Sequence, residues 1–178
     1  MGPRGIAVDA QGRVFVADTG NKRILVYDAD GNFITQIGDE GMAAGQFEEP
    51  VGLAVDPQGN LYVADTWNQR IQVFSPNQDG VTFSPSMQWD IAGWSGESVD
   101  NKPYLSLDNK GHIFTTDPVS FRVLEFTTDG VFLRTWGDYG GNDASFGLPV
   151  AIAVDPTGLV WVSDSANNRL MRFSLPNK

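Results

Sequence analysis

The chain has no cysteine and only one histidine, His112, among its 178 residues. Without cysteine it can form no disulfide framework, no thiolate metal site and no cysteine nucleophile. A catalytic zinc centre commonly needs several histidine ligands, which a single histidine cannot supply. The sequence therefore argues against a zinc enzyme, and we expect His112 to be a solvated residue at the entry of a strand.

Basic residues are also scarce. The chain has 12 lysines and arginines against 22 aspartates and glutamates, which gives a net charge of −10. Proteins that bind nucleic acid rely on clustered lysine and arginine to neutralise phosphates. We therefore predict no nucleic-acid partner, and we interpret the acidity as a contribution to solubility.

Long hydrophobic runs are missing as well. No stretch approaches the ~20 apolar residues of a membrane helix, and the first ten residues, MGPRGIAVDA, contain no apolar run of a signal peptide. We predict no membrane partner. Met-Gly followed at once by a repeat is typical of an engineered start. We therefore leave the compartment open and favour an extracytoplasmic or secreted location whose targeting signal has been removed.

Turn-forming residues are abundant, with 20 glycines and 10 prolines, while charged residues make up 19% of the chain. Turn signals recur every ~8–12 residues between short apolar segments, a spacing that is typical of all-β proteins. No segment has a convincing helical period. The composition therefore predicts many short strands rather than long helices.

The sequence contains an internal repeat. VADTGNKRILVYD at 16–28 and VADTWNQRIQVFS at 63–75 share most of their residues, and looser copies begin at residues 115 and 162. An aspartate and, five residues later, an arginine recur with spacings of 47, 52 and 47. These repeated residues are Asp18, Asp65, Asp117 and Asp164, and Arg23, Arg70, Arg122 and Arg169. Four repeats therefore fill the chain.

Each repeat contains short strands, four in a complete copy, with apolar residues on both faces, as expected for small sheets stacked between neighbours. Four-stranded sheets repeated at this period predict an all-β fold, a β-propeller of four antiparallel blades. We place the blades at about 3–38, 50–94, 103–137 and 149–174, in a single domain over 1–178. The last blade lacks its outer strand.

The missing outer strand leaves an open blade edge between Leu170 and Ser174, and open edges attract other strands. We therefore expect the chain to be a piece of a longer protein. It would close as a compact four-bladed ring or share blades with a second copy as a homo-oligomer.

The repeat pattern P-x-G-[IL]-A-V-D-x-x-G-x-[LV]-[YF]-V-A-D-T-x-N-x-R-I-x-V-[FY] resembles the NHL repeat. It is nearly complete at 3–27 and 50–74, clear at 149–173 and loose at 103–126, where Ser120 replaces the asparagine. The resemblance implies a propeller, usually of six blades. It also implies a choice of functions, since the family includes an amidating lyase and RNA-binding animal proteins, and related propellers include lactonases.

The repeated aspartates and arginines allow two interpretations. A ring of four carboxylates could coordinate a cation. Alternatively, each aspartate caps the turn before the third strand, with the arginine paired nearby. We prefer the second interpretation because a residue present in every blade is better explained as a part of the blade. The same holds for the aspartates of the first turn, Asp9, Asp56, Asp108 and Asp155.

Aromatic and asparagine side chains on the loops are our binding candidates. In a propeller, the loops between second and third strands share one face with the blade connections. Trp67 stands where the other units have Gly20, Val119 and Ala166, so the repeat does not require it. The candidates on this loop face are Trp67, Phe121, Trp94, Tyr139, Asn21, Asn68 and Asn167. For Trp94, and for Trp136, packing between blades is the preferred alternative.

Exposed aromatics beside acidic loops suit a protein, peptide or carbohydrate partner. We therefore predict a non-catalytic scaffold without metal or cofactor. The alternative is a fragment of a six-bladed enzyme of lactonase or amidating-lyase type, for which the single histidine argues against the lyase. A lactonase-type calcium site would draw on the acidic loop residues Asp39, Glu40, Glu48, Glu49, Glu97, Asp100, Asp138 and Asp143.

Overall fold

The computed structural model describes residues 2–94 and 102–176. The chain forms two compact units, Met1–Ala92 and Gly93–Lys178, which we call unit 1 and unit 2. Each unit contains two consecutive antiparallel sheets, which we call blades 1 to 4 in chain order. The prediction of a single domain over 1–178 is not tested by this division and stays a prediction.

Unit 1 contains two four-stranded blades, each with its strands in sequence order. Blade 1 consists of β1 Ile6–Val8, β2 Val14–Asp18, β3 Arg23–Tyr27 and β4 Phe33–Ile37. Blade 2 consists of β5 Pro50–Val55, β6 Leu61–Asp65, β7 Arg70–Pro76 and β8 Phe83–Asp90.

Unit 2 contains one four-stranded blade and one in which three strands are described. Blade 3 consists of β9 Leu105–Leu107, β10 His112–Asp117, β11 Arg122–Thr127 and β12 Phe132–Trp136. Blade 4 consists of β13 Pro149–Val154, β14 Val160–Asp164 and β15 Arg169–Phe173. The all-β class, the four blades and the three-stranded last blade are therefore confirmed.

The turn between the first and second strands has the same construction in all four blades. In blade 1, Asp9 Oδ1 accepts hydrogen bonds from the backbone N–H groups of Gln11 at 3.0 Å and Arg13 at 2.8 Å. Gly12, at φ +81°, takes the left-handed conformation that glycine adopts without strain. Asp56, Asp108 and Asp155 accept the equivalent bonds in their own blades. These aspartates thus hold the hairpins that start each blade.

The core of unit 1 lies between its two blades. Alternate residues of β2 and β3, among them Phe15 and Val26, are fully buried against blade 2, as the two-residue period of a strand requires. Gly5 brings the backbones very close, because a Cβ there would overlap the carbonyl oxygen of Val51. This close approach explains why a glycine precedes the first strand of blade 1.

The core of unit 2 is built on aromatic contacts between blades 3 and 4. Trp136 at the end of β12 packs edge-on against Phe173 of β15, with ring centroids 5.7 Å apart. Phe146, fully buried in the connection between the blades, contacts the same Phe173 at 5.8 Å. Trp136 therefore lies in the packing between blades, as the preferred sequence interpretation has it.

Among the described residues, regular helix is limited to two three-residue 3₁₀ turns, Thr19–Asn21 and Ser165–Asn167. Within 2–94 and 102–176, no helix is long and apolar enough to cross a membrane.

Asp155 makes the stability of blade 4 dependent on pH. Its hydrogen bonds, first from the Thr157 hydroxyl and then from the Trp161 indole, lower the pKa of its carboxyl to about 2. Because the pKa of Asp155 is lower in the folded state than in the unfolded state, its carboxylate adds stability at pH values above the usual aspartate pKa. That added stability is lost as the pH falls through about 2. We therefore predict that D155N lowers the free energy of unfolding at pH 5, and that the difference in this free energy between D155N and wild type shrinks below pH 4.

Denaturant unfolding of both proteins between pH 2 and 5 measures this difference. The matched variant T157V removes the first donor, which raises the pKa of Asp155 and moves the loss of stability to higher pH. If the difference in unfolding free energy between wild type and D155N stays constant down to pH 2, the lowered pKa of Asp155 is contradicted.

Candidate functional site

The repeated aspartate and arginine form an ion pair in every blade. The Nε–Oδ2 distances are 2.9 Å for Asp18–Arg23, Asp65–Arg70 and Asp164–Arg169, and 2.8 Å for Asp117–Arg122. The two residues of each pair sit opposite each other in the second and third strands, with the short turn between them. The pairs are thus placed at one end of each blade, which we call the loop end.

In blade 2 this pair is buried and connects the blade to the loop before it. The Asp65 side chain is fully buried, and Arg70 is 6% exposed. Arg70 donates to Asp65 with Nε and to loop carbonyls with its two other nitrogens, and Asp65 accepts from the Glu48 N–H at 3.0 Å. The carbonyl acceptors belong to Met42, Ala43 and Gln46. One ion pair therefore holds most of the connection between blades 1 and 2.

Blade 4 repeats this arrangement on the connection from blade 3. The buried Asp164 accepts from the N–H groups of Gly147 and Leu148, both at 2.8 Å. Arg169 donates to three carbonyls of the same connection, those of Gly141, Asn142 and Ser145. Burial alone would raise the pKa of the Asp164 carboxyl, but the hydrogen bonds from Leu148, Asn167 and Arg169 outweigh it and lower the pKa.

Blades 1 and 3 have less of this network among the described residues. Asp18 accepts from Asn21 and Arg23, and these bonds overcome the opposing effect of burial and lower the pKa of its carboxyl. Asp117 accepts from the backbone of Ser120 at 3.3 Å and from Arg122. All four carboxylates therefore bind groups of their own unit.

The asparagines predicted for binding lie in the same networks. The amide of Asn68 donates to Asp65 and to the Gly41 carbonyl, and the amide of Asn167 donates to Asp164 and to the Gly140 carbonyl. Asn21 donates to Asp18. Their side-chain N–H groups are thus used within the protein, and a role in binding a partner stays a prediction.

The residue before each third strand has a left-handed backbone. The φ values are +54° for Lys22, +52° for Gln69, +57° for Phe121 and +52° for Asn168. Asparagine tolerates this conformation, whereas a bulky side chain is an outlier there, at a cost of about 1 kcal/mol or more. Phe121 is therefore the unexpected member of the four.

The side chain at this position contacts the connection between blades. In unit 1, Lys22 Nζ lies 2.6 Å from both Glu40 Oε1 and Glu48 Oε2. In unit 2, the Phe121 ring packs edge-on against Tyr139, with centroids 4.9 Å apart. Glu40 and Tyr139 are equivalent, because each forms an isolated parallel bridge with the buried phenylalanine of its connection. An aromatic pair in unit 2 thus replaces a salt bridge in unit 1.

The aromatic pair in unit 2 is accessible. Tyr139 is 75% exposed, Phe121 is half-buried, and the carboxylates of Asp138 and Asp143 in the same connection are exposed.

The two other aromatic residues predicted for binding differ in their exposure. Trp67 in unit 1 is 54% exposed, whereas Trp94 in unit 2 is 3% exposed. Trp94 in this conformation is not available to a partner, and we leave it out of the proposed surface.

His112 lies in a more polar environment than the sequence indicated. Its Nδ1 is 3.1 Å from Asp108 Oδ2 and 3.3 Å from Glu125 Oε1, and the side chain is half-buried. Glu125 was not among the sequence candidates, although the sequence contains a signal: it stands three residues after the repeated arginine, where the first two repeats have Val26 and Val73.

The acidic residues considered for calcium do not form a site in the described part of the chain. Glu40 and Glu48 bind Lys22, and Glu97 and Asp100 lie outside the described residues. Within 2–94 and 102–176, no group of three or more histidine, aspartate or glutamate side chains is arranged to hold a metal ion.

Comparison with known families supports the resemblance seen in the sequence. The NHL repeat model matches residues 1–27, 47–74 and 146–173. NHL repeat-containing protein 3 of Mus musculus is 31% identical over 77 residues, which are 42% of this chain and 22% of that protein. Protein brain tumor of Drosophila melanogaster is 27% identical over 135 residues, 76% of this chain and 12% of that protein. The chain thus spans about a fifth or less of these relatives.

Solved structures with the same fold include enzymes. A streptogramin B lyase structure superposes with a TM-score of 0.68 at 18% identity, covering 98% of this chain and 55% of that one. A gluconolactonase from Xanthomonas campestris superposes with a TM-score of 0.61 at 19% identity, covering 96% and 61%. At these identities the likeness establishes the propeller fold alone.

The buried ion pair leads to a stability prediction. We expect R70A to lower the free energy of unfolding by about 3–5 kcal/mol, because it leaves Asp65 buried without its partner. The matched variant R23A removes a pair whose arginine side chain is 36% exposed, and we expect a loss of about 1 kcal/mol or less. Urea unfolding followed by tryptophan fluorescence compares the two. Equal losses would contradict the role of Arg70 in holding the connection.

Proposed function

Because the chain is built of NHL repeats on a propeller fold, we propose that it is a non-catalytic interaction scaffold that binds a protein segment. The binding surface consists of Phe121 and Tyr139, flanked by Asp138 and Asp143 at the loop end of unit 2. The observation that carries this proposal is the exposed aromatic pair, which depends on a phenylalanine in a left-handed conformation.

The left-handed conformation occurs in every blade, but only blade 3 has an aromatic side chain there, which supports the proposal. Residues held in sparsely populated conformations cluster at ligand-binding sites, where the surrounding structure enforces them. The blades themselves do not need an aromatic residue here, since Lys22, Gln69 and Asn168 occupy the same position elsewhere. Phe121 gains a ring contact with Tyr139 but leaves most of Tyr139 in solvent. A partner that covers both rings would use the exposed area, which folding alone does not.

Electrostatics favours a cationic segment as the partner. Asp138 and Asp143 lie on the connection that carries Tyr139, and the chain has a net charge of −10. An arginine or lysine side chain over the face of an aromatic ring gains a cation–π interaction, and nearby carboxylates add to it. The same charge steers a basic partner toward the surface and repels nucleic acid.

The likeness to lyase and gluconolactonase propellers is a likeness of fold and brings no activity to this chain. An enzyme of the lactonase type would bind calcium in stoichiometric amount, so metal analysis of the purified chain separates that alternative from the scaffold.

Unit 1 provides a variant that removes the surface without changing the fold. F121K/Y139E places the lysine–glutamate pair of Lys22 and Glu40 at the equivalent positions of unit 2. We predict that it keeps the unfolding free energy of wild type within about 0.5 kcal/mol or exceeds it, since it changes only a surface pair. We also predict that it loses at least tenfold in affinity for the partner segment.

A displayed library of random dodecapeptides, selected on the wild-type chain and counter-selected on F121K/Y139E, provides the probe. We expect the enriched peptides to contain arginine or lysine. Peptides that bind both proteins equally, or a failure to enrich any, would contradict the proposal. Discrimination between the two proteins on a glycan array, without any such peptide, would replace a protein partner with a carbohydrate.

A further inference from the structure

The loop end of unit 1 carries an exposed apolar patch. Met42 is 76% exposed and Trp67 is 54% exposed, and Ala43 and Ala44, which follow Met42, are exposed as well. Met42, Ala43 and Ala44 lie on the connection between blades 1 and 2, and Trp67 lies in the turn between β6 and β7. We call these four residues the unit 1 patch. Single exposed apolar residues are common on proteins, whereas a group of them indicates an interaction site.

Hydrogen bonds hold the two parts of the unit 1 patch side by side. Asn68, which follows Trp67, donates from its side-chain amide to the Gly41 carbonyl at 2.9 Å. Arg70 donates to the carbonyl of Met42 itself at 2.8 Å. The backbone that carries Met42 is therefore fixed against the turn that carries Trp67. A surface that is fixed in advance binds a partner without the entropy cost of ordering its loops.

Unit 2 has the same hydrogen bonds but no such patch. The acceptors there are the carbonyls of Gly140 and Gly141, which makes Gly141 the counterpart of Met42. Ala166 stands where blade 2 has Trp67. The residues that continue the two connections are apolar in unit 1 and polar in unit 2, namely Ala43 and Ala44 against Asn142 and Asp143. The frame therefore does not require the apolar side chains of unit 1, and folding leaves most of the surface of Met42 and Trp67 in water.

The unit 1 patch suits an apolar side chain. Tryptophan is enriched at the centres of protein–protein interfaces, and the flexible thioether of methionine adapts to apolar partners of different shapes. The polar groups that adjoin the patch are already used within the protein. The Asn68 amide donates to Asp65 as well as to Gly41, and the Arg70 guanidinium donates to Asp65 and to three loop carbonyls. A carbohydrate, which needs several free hydrogen-bonding groups, fits this surface less well.

Charge selects among apolar segments. Asp39 and Glu40 precede the patch on the same connection, and both are exposed. Glu40 is paired with Lys22, whereas Asp39 forms no ion pair within the described residues. An exposed carboxylate beside an apolar surface favours a partner in which a lysine or arginine lies next to the apolar side chain. The same carboxylate disfavours an acidic segment or an anionic membrane surface.

We propose that the unit 1 patch binds a segment of a partner protein that carries a large apolar side chain next to a lysine or arginine. The apolar side chain packs between Trp67 and Met42, and the basic side chain pairs with Asp39. This surface is separate from Phe121 and Tyr139 in unit 2, and the proposal does not rest on the function assigned to that pair.

The matched variant M42G/W67A gives unit 1 the residues that unit 2 has at these positions, Gly141 and Ala166. Both replaced side chains are exposed, so we expect the variant to keep the urea midpoint of wild type by circular dichroism. A displayed library of random dodecapeptides, selected on the wild-type chain and counter-selected on M42G/W67A, provides the probe. We expect the enriched peptides to share a large apolar residue beside a lysine or arginine. By fluorescence anisotropy, they should bind M42G/W67A about tenfold more weakly, or weaker still.

D39N tests the charge separately from the apolar contact. We expect it to weaken an enriched peptide about threefold, as the loss of an exposed ion pair predicts. Replacing the basic residue of the peptide by glutamine should remove the difference between D39N and wild type. The F121K/Y139E variant should bind the same peptides as wild type does, which distinguishes a failure of this proposal from a failure of the proposed function.

The proposal is overturned if no peptide is enriched, if the enriched peptides bind M42G/W67A as tightly as wild type, or if D39N and wild type bind them equally. Vesicles of phosphatidylcholine provide one further outcome. Binding of wild type but not of M42G/W67A to these vesicles, without any enriched peptide, would make the occupant a lipid surface and would likewise overturn the proposal.

Discussion

In each unit one buried ion pair, Asp65–Arg70 in blade 2 and Asp164–Arg169 in blade 4, fastens the connection between the two blades. In blades 2 and 4 one carboxylate and one guanidinium satisfy the backbone N–H and C=O groups of an irregular loop, which would otherwise have no partner away from water. Both residues thus have the same structural role in blades 2 and 4, although the two loop sequences differ. This role explains why the loops can present a defined surface although they contain almost no regular structure.

The proposed recognition surface uses positions that this frame does not need. The left-handed residue before the third strand and its neighbour on the connection form such a pair: Lys22 with Glu40 in unit 1, Phe121 with Tyr139 in unit 2. At the other end of blade 3, Glu125 and Arg134, whose Oε2 and Nε atoms lie 2.6 Å apart, likewise stand where blade 1 has Val26 and Thr35. Both features are departures from the repeat on an otherwise repeated scaffold.

The fold could be predicted from the sequence because the period, the turn aspartates and the two-faced apolar strands repeat, so each copy supports the interpretation of the others. The candidate sites were harder to predict because they depend on which residue of a neighbouring strand or connection lies opposite each side chain. The importance of Phe121 depends on its contact with Tyr139 across a connection, which spacing does not reveal. Glu125 and His112 lie on neighbouring strands, and only the register brings them together. Trp94 is an aromatic residue of the kind that binding sites favour, but its side chain is buried.

Asp65 and Asp164 each hold the connection within their own unit in one geometry, and amide hydrogen exchange tests this role most directly. The N–H groups of Glu48, Gly147 and Leu148 donate to Asp65 or Asp164, although none of these residues lies in a strand. The account predicts that these three amides exchange as slowly as amides in the cores of β6 and β14. It also predicts that D164N exposes the amides of Gly147 and Leu148 together while leaving that of Glu48 protected. Exchange of all three at the rate of an unprotected amide in the wild-type chain would contradict it.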